Sequence, residues 1–289
     1  MNKVGFIGVG IMGKSMVRNL MKAGFELHIY ARTKSKVEDA QFHESIKDCV
    51  QDCDAVITIV GFPQDVEEVY FDQGNILDSA KKGAYLIDMT TTSPQIAEKI
   101  YEEGTKRGFH VMDAPVTGGD TGAKAGTLSI LVGGEKEDYE ACMPLFEAMG
   151  TNINYQGKAG CGQHCKLANQ IMIAGTLSGV CEALTYAKEQ GLDPEVFMKS
   201  VATGAAGSKQ LDTFGPKILK DDYAPGFFMK HFIKDMKLAL IEANRKGLSL
   251  DVLSMVLANY EELEQEGYGD LGTQALMKFY DEEHRNMEE

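Results

Sequence analysis

Thirteen residues at the start of the chain constrain its fold more than any later segment. Lys3 to Ile7 is a short apolar run that feeds directly into Gly8-x-Gly10-x-x-Gly13. Ile11 to Ala23 then carries helical spacing, and Glu26 to Ala31 reads as a second strand. Strand, glycine turn, helix and second strand together make a β-α-β unit. The glycines have separate jobs. Gly8 permits the tight turn, Gly10 leaves room for a phosphate to approach the backbone, and Gly13 lets helix and strand pack closely. The first helical turn, with Ile11 and Met12, offers N–H groups and a partial positive charge to an anion. Out of context the spacing is equally a structural glycine turn. After a strand and before a helix, it predicts a dinucleotide site.

The end of the second strand selects the dinucleotide. An NAD site places Asp or Glu there, about 20 residues past the glycines, to hold the ribose 2′-hydroxyl. This chain reads His28-Ile-Tyr-Ala-Arg-Thr33, with no acid in the stretch. Ala31, Arg32 and Thr33, with Lys34 beside them, suit a 2′-phosphate, because a guanidinium grips phosphate oxygens with paired charge-assisted bonds. A solvated arginine at a strand end is the alternative. The expectation is NADP, with NADPH preferred and NAD as the alternative cofactor.

Strand and helix patterns alternate through the first half: apolar strands at Ala55–Val60, Ala84–Asp88, His110–Ala114 and Leu128–Val132, and helices at Pro94–Arg107, capped by Ser93, and Lys136–Met149. After the Gly157-Lys-Ala-Gly-Cys-Gly162 turn only helical patterns follow, at Lys166–Gln190, from Asp193-Pro194, at Phe227–Lys246 and at Val252–Glu266. The predicted fold class is α/β: a Rossmann-type doubly wound sheet over residues 1–160, then an all-helical domain over 161–289 for substrate binding and dimerisation.

At 289 residues the chain has room for two domains. Its net charge of −14, from 29 basic and 43 acidic residues, supplies no basic patch for nucleic acid. The acidic tail from Asp281 to Glu289 reads as a solvated end. No apolar run is expected to reach the length of a membrane span, and the glycine spacing argues against a signal peptide; a cytoplasmic location is expected. Six scattered cysteines are expected as free thiols. Cys161 and Cys165 flank His164, but without a second paired cluster they predict no metal site. A homodimer or dimer-based tetramer is expected, with Leu177, Val180, Leu184 and Met255-Val-Leu257 as candidate subunit contacts.

Three further segments carry candidate pocket residues. Thr117-Gly118-Gly119 follows Pro115 in a turn whose consecutive N–H groups suit a carboxylate, although an ordinary β-turn has the same composition. Lys166 and Asn169 stand at i and i+3 on one helix face, among neighbours too apolar for a solvated surface. A buried lysine needs a functional reason or a snorkelling stem. Lys234-Asp235 opens another apolar helix and by itself reads as a surface ion pair.

In combination these motifs resemble the β-hydroxyacid dehydrogenases, the group containing 3-hydroxyisobutyrate dehydrogenase, tartronate semialdehyde reductase and the glyoxylate/succinic semialdehyde reductases. The match runs nearly end to end. It rests on Gly8-x-Gly10-x-x-Gly13, Asp113-Ala-Pro-Val-Thr-Gly-Gly119, Gly157-x-x-Gly160-x-Gly162-x-x-x-Lys166-x-x-Asn169 and Lys234-Asp235. The resemblance implies that Thr117, Gly118 and Gly119 hold a substrate carboxylate and that Lys166 is the catalytic acid/base. It implies too that Asn169 orients the substrate, that Lys234 lines the same cleft, and that Thr91 lies near the nicotinamide. Val60 and Asp235 are expected among the cofactor contacts. Val60-Gly-Phe-Pro63 departs from the Leu-Pro that the family often carries there.

Those parts imply hydride transfer between a nicotinamide and a small carboxylate-bearing aldehyde or hydroxy acid. In reduction, protonated Lys166 stabilises the charge growing on oxygen and donates a proton. In oxidation a neutral lysine is needed, and burial with a neighbouring cation would lower its ordinary value of about 10.4. The alternatives are an NAD-dependent 3-hydroxyisobutyrate dehydrogenase-like enzyme, an imine reductase, and a non-catalytic dinucleotide sensor. The last two need no lysine at this position.

Overall fold

The apolar runs of the first half become strands because nearly every residue in them is covered on both faces, as a parallel sheet requires. The strands are β1 (Lys3–Ile7), β2 (Glu26–Tyr30), β3 (Gln41–Phe42), β4 (Ala55–Thr58), β5 (Tyr85–Asp88), β6 (His110–Asp113), β7 (Val116–Thr117), β8 (Leu128–Gly134) and β9 (Gly150–Gly157). In this computed structural model, which describes residues 1–33, 37 and 39–281, β3-β2-β1-β4-β5-β6 are parallel neighbours in that order. That order is the doubly wound arrangement. Beyond β6 the sheet changes sense: β8 runs antiparallel to β6 and β7, and β9 pairs in parallel with β8.

Two features depart from the sequence expectation. Lys136–Met149 is two helices, Lys136–Ala141 and Met143–Met149, broken at Cys142 with Pro144 in the second helix's first turn. Proline cannot supply the N–H that a continuous helix would need there. β9 had no apolar alternation to announce it, since Thr151, Asn152, Asn154 and Tyr155 are exposed; polar residues suit an edge strand.

The chain forms two compact units, Met1–Lys166 and Leu167–Glu289, so the division falls inside the 29-residue helix Cys161–Glu189. The second unit continues with helices Pro194–Val201, Lys209–Ile218, Met229–Arg245 and Asp251–Gln265, and with 3-10 turns to Tyr280. Asp193 caps the first of these through Glu195 and Val196 N–H groups. The core of this unit joins Leu167, Leu177, Leu184, Phe232, Met236, Val256 and Tyr260, with the Tyr260 hydroxyl donating to Thr273 O at 2.7 Å.

This packing corrects two expectations. Cys161–Glu189 starts five residues before the expected Lys166 and is long and apolar enough to cross a membrane, with mean hydropathy 1.2 in its most apolar window. Leu167, Ala174, Leu177, Cys181 and Leu184 turn its apolar face into the core. For the same reason Leu177, Val180, Leu184, Val256 and Leu257 are core residues rather than subunit contacts, and of that set Met255 alone is exposed, at 50%.

A packing role and a surface role differ in energy. Leu177→Ala should cost about 2–5 kcal/mol of unfolding free energy, the range for emptying a buried leucine. Met255→Ala should stay within about 0.5 kcal/mol. Urea unfolding of the two variants checks this, and equal midpoints would contradict the assignment of Leu177 to the core.

Candidate active site

The glycine turn is built by close approach. Gly8 has φ +100°, and a Cβ there would lie 2.0 Å from Ile59 O. A Cβ on Gly13 would lie 2.0 Å from Gly8 O, so helix and strand meet at backbone contact. Gly10 differs, because nothing lies within 4 Å of where its Cβ would be. It is the N-cap of helix Ile11–Lys22, which has no side-chain cap and no acid in its first turn. Open space over an uncapped helix N-terminus fits a pyrophosphate, held by backbone around Gly10, Ile11, Met12 and Gly13.

Arg32, just past β2, is 66% exposed in its side chain, and its Nη2 lies 2.7 Å from Asp65 Oδ1. The other Asp65 oxygen accepts the Phe62 N–H at 2.9 Å, which fixes the start of helix Pro63–Phe71. No local pattern signals this carboxylate, which is 33 positions away from Arg32. Thr33 is exposed beside the arginine and Ala31 is half-buried. Lys34 and residues 282–289 of the acidic tail lie outside the described residues.

Polar groups gather at the carboxyl ends of β4, β5 and β6. Asp88 Oδ1 accepts the Thr58 hydroxyl at 2.7 Å and the Thr90 N–H at 3.1 Å, while Tyr70 OH pairs with Thr58 Oγ1. Val60 N–H donates to Thr90 Oγ1 at 3.0 Å. Asp88 Oδ2 is buried without a hydrogen bond among the described residues. Burial pushes the Asp88 carboxyl up to about 6, against the pull of Thr58 and Thr90, and the charge of Asp113 adds to the rise. Asp113 is its register partner on β6.

Asp113 holds the start of the long helix. Its Oδ1 accepts the Gly160 N–H and its Oδ2 the Gln163 N–H, both at 2.8 Å. Burial still raises its carboxyl, with these two bonds opposing. A Cβ at Gly133 or Gly162 would come within 2.5 or 2.8 Å of an Asp113 oxygen, which explains Gly162 of the motif, and Gly133 on β8, as packing. The Gln163 side chain is buried; its Oε1 accepts the Thr92 N–H at 3.0 Å and its Nε2 donates to Thr90 O at 2.8 Å. Half-buried Thr91 sits between those two anchor points. Lys166 follows one turn after Gln163 and is 7% exposed. For Asp88 and Asp113 the signal of an anchoring role is an acid closing an apolar strand; Gln163 carries no such local signal.

Thr117 ends the short strand β7, paired with Ser129 on β8. Gly118 and Gly119 follow at φ +125° and +64°, conformations open to glycine, and lead exposed into helix Gly119–Ala125. In the second unit a buried chain links the remaining candidates. Asn169 Nδ2 donates to Gln170 Oε1 at 2.8 Å, Gln170 Nε2 donates to Asp235 Oδ2 at 2.7 Å, and Lys234 Nζ lies 3.1 Å from Asp235 Oδ1. Lys234-Asp235 is therefore a largely enclosed pair, not the surface pair its sequence suggested by itself. Asp235 Oδ2 accepts the Gln170 bond, while Oδ1 has the Lys234 ammonium beside it and no hydrogen bond among the described residues.

Residues 3–157 match the family described as the NAD binding domain of 6-phosphogluconate dehydrogenase. Residues 160–280 match the one described as the NAD-binding of NADP-dependent 3-hydroxyisobutyrate dehydrogenase. A 3-hydroxyisobutyrate dehydrogenase-like protein of Arabidopsis thaliana is 44% identical over 281 residues, spanning 95% of this chain and 84% of that protein. The 2-hydroxy-3-oxopropionate reductase of Escherichia coli is 37% identical over 254 residues, 86% of each chain. The solved 3-hydroxyisobutyrate dehydrogenase of Mycobacterium tuberculosis with L-serine has a TM-score of 0.88 at 26% identity, covering 97% of this chain and 99% of that one.

The raised Asp88 carboxyl makes stability depend on pH in a definite direction. Between its ordinary value of 3.8 and about 6, the folded protein holds a proton that the unfolded chain has released. Stability attributable to this group is therefore fully present below about pH 4 and is lost as pH rises through about 6. At about 1.4 kcal/mol per pH unit the loss is on the order of 3 kcal/mol. Asp88→Asn removes it, so the variant should gain on the wild type across that window. Urea unfolding from pH 4 to 7 reads the difference, and parallel profiles would rule the effect out.

Proposed function

The chain belongs to the 3-hydroxyisobutyrate dehydrogenase family of NAD(P)-dependent oxidoreductases, and within it we propose an NADP(H)-dependent β-hydroxyacid dehydrogenase or semialdehyde reductase with Lys166 as general acid/base. The observation that carries this reading is the environment of Lys166. It is almost fully buried, one turn after a glutamine tied to the Thr90–Thr92 segment. Burying an ammonium stem without a task is costly.

The named relatives suggest a substrate class. 3-Hydroxyisobutyrate, L-serine and 2-hydroxy-3-oxopropionate each carry a carboxylate, a variable group on C2 and an alcohol or aldehyde at C3. We propose a substrate of that skeleton. Its carboxylate docks on Thr117, Gly118 and Gly119, and Asn169 and Lys234 take its other polar groups, with Asp235 holding Lys234. Gly10, Ile11, Met12 and Gly13 hold the pyrophosphate, Arg32 and Thr33 the 2′-phosphate, with Ala31, Val60 and Thr91 lining the rest of the site. The bound dinucleotide supplies or accepts the hydride. In reduction Lys166 gives its proton to the carbonyl oxygen as negative charge develops there, and in oxidation it removes the hydroxyl proton. The Asp65 carboxylate on Arg32 favours a second reading, NAD use, because it already answers the guanidinium's charge.

One kinetic experiment separates these readings: turnover of aldehyde-acids with NADPH and NADH by wild type, Arg32→Asp and Lys166→Ala. Lys166→Ala should lower kcat by about 10²–10⁴-fold with cofactor binding intact. Arg32→Asp should weaken NADPH by about ten- to a hundred-fold, the worth of a charge-assisted contact of about 1.5–3 kcal/mol. Near wild-type turnover by a folded Lys166→Ala protein would move the acid elsewhere. Equal kcat/KM for the two cofactors in the wild type would overturn the NADP assignment.

A further inference from the structure

We propose that Gln163 is a positioning residue: its side chain clamps the Lys166-bearing helix turn to the main chain on either side of Thr91, and so fixes the proton donor against the cofactor site. The inference rests on the proposed roles of Lys166 and Thr91 and adds a residue to them.

A glutamine carboxamide has one acceptor and one donor end, like a peptide group of a neighbouring strand. Here both ends are used on backbone. Oε1 accepts from Thr92 N–H at 3.0 Å and Nε2 donates to Thr90 O at 2.8 Å, in a setting where the side chain has no exposure to solvent. The main chain of the same residue is held independently, because Gln163 N–H donates to Asp113 Oδ2 while Gly160 N–H donates to Oδ1. The first helical turn is thus fixed to β6 by its backbone and to the segment after β5 by one side chain. Lys166, three residues on, shares the helix face of Gln163. Nothing in this arrangement asks Gln163 to touch substrate. Its chemistry is to hold a distance.

The two bonds also explain why an apolar side chain of equal length is no substitute. Without the carboxamide, the Thr92 N–H and Thr90 C=O stay buried without their present partners, and the segment bearing Thr91 must move to satisfy them. A carboxylate at 163 keeps the acceptor for Thr92 but sets negative charge against the Thr90 carbonyl. A protonated carboxyl restores the donor. Burial shifts such a carboxyl upward, as do the acids that face this segment, Asp88 from β5 and Asp113 from β6, whereas Lys166 on its own helix pulls it down.

The test compares Gln163→Met and Gln163→Glu with wild type and Lys166→Ala, using NADPH and an aldehyde-acid that the wild type reduces. Gln163→Met should lower kcat by about ten- to a hundred-fold, the scale of an ångström's misplacement. KM for the aldehyde-acid should hold, because Thr117–Gly119 is not tied to this side chain. Gln163→Glu should be impaired at high pH and recover relative to wild type as pH falls, which a role in folding alone would not produce in a protein folded throughout. A Gln163→Met protein with wild-type kcat overturns the proposal. So does a Gln163→Glu protein whose activity ratio to wild type is flat with pH, or which is unfolded at every pH. Failure of the underlying reading looks different: Lys166→Ala would then keep its turnover, whatever the Gln163 variants do.

Discussion

The first unit depends on how Asp113 is accommodated. A carboxylate closed off from water at the end of an apolar strand is unfavourable by itself, and its raised proton affinity records that. What offsets the cost is the start of a long helix, where main-chain N–H groups lack partners within the helix. Asp113 takes two of them, from Gly160 and Gln163. Each side resolves the other's difficulty, and the helix that carries Lys166 is fixed to the sheet by a contact that cannot slide. Glycine at 133 and 162 follows from that closeness, since any Cβ would collide with the carboxylate.

The same logic extends across the sheet. β4, β5 and β6 have apolar interiors and bury polar side chains at their carboxyl ends, where Thr58, Asp88 and Asp113 lie. Buried polar groups each cost about 1–3 kcal/mol when unpaired, so a row of them is tolerated only where hydrogen bonds absorb most of the cost. Here they absorb most of it: Thr58 and Thr90 bond to Asp88, and Gln163 bonds to Asp113 and to the Thr90 and Thr92 main chain, leaving Asp88 Oδ2 and the Thr92 hydroxyl without a hydrogen bond among the described residues. Open α/β sheets bind ligands beyond these strand ends. The polar row is a rigid floor beneath that region.

Local signals carried much of this into the sequence. Gly8, Gly10 and Gly13, the strands β1, β2, β4, β5 and β6 and the Ser93 and Asp193 caps were legible because each depends on residues close together in the chain. What was not legible depends on partners far away. Asp65 meets Arg32 from the helix Pro63–Phe71, Gln163 reaches back 71 positions to Thr92, and Asp113 reaches forward 47 to Gly160. β9 was hidden because an edge strand has no need of an apolar face. Leu177 and Leu184 are core residues that read equally as subunit contacts, because helical spacing shows that a face is apolar but not what covers it.

Arg32 shows how magnitudes weigh a local signal against a distant one. Its contact with Asp65 is an exposed ion pair, and such pairs contribute about 0–1 kcal/mol once side-chain entropy and solvent screening are counted. A hydrogen bond from a guanidinium to a charged acceptor contributes about 1.5–3 kcal/mol. A phosphate that exchanged for Asp65, or shared the guanidinium with it, would therefore gain more than the pair loses. Asp65 is also committed to the Phe62 N–H, so it keeps a partner when Arg32 turns away. On this balance the carboxylate leaves Arg32 able to meet the 2′-phosphate that the proposed NADP reading requires. It holds a long, exposed side chain near the end of β2, which lowers the entropy that a 2′-phosphate would otherwise have to overcome in ordering it.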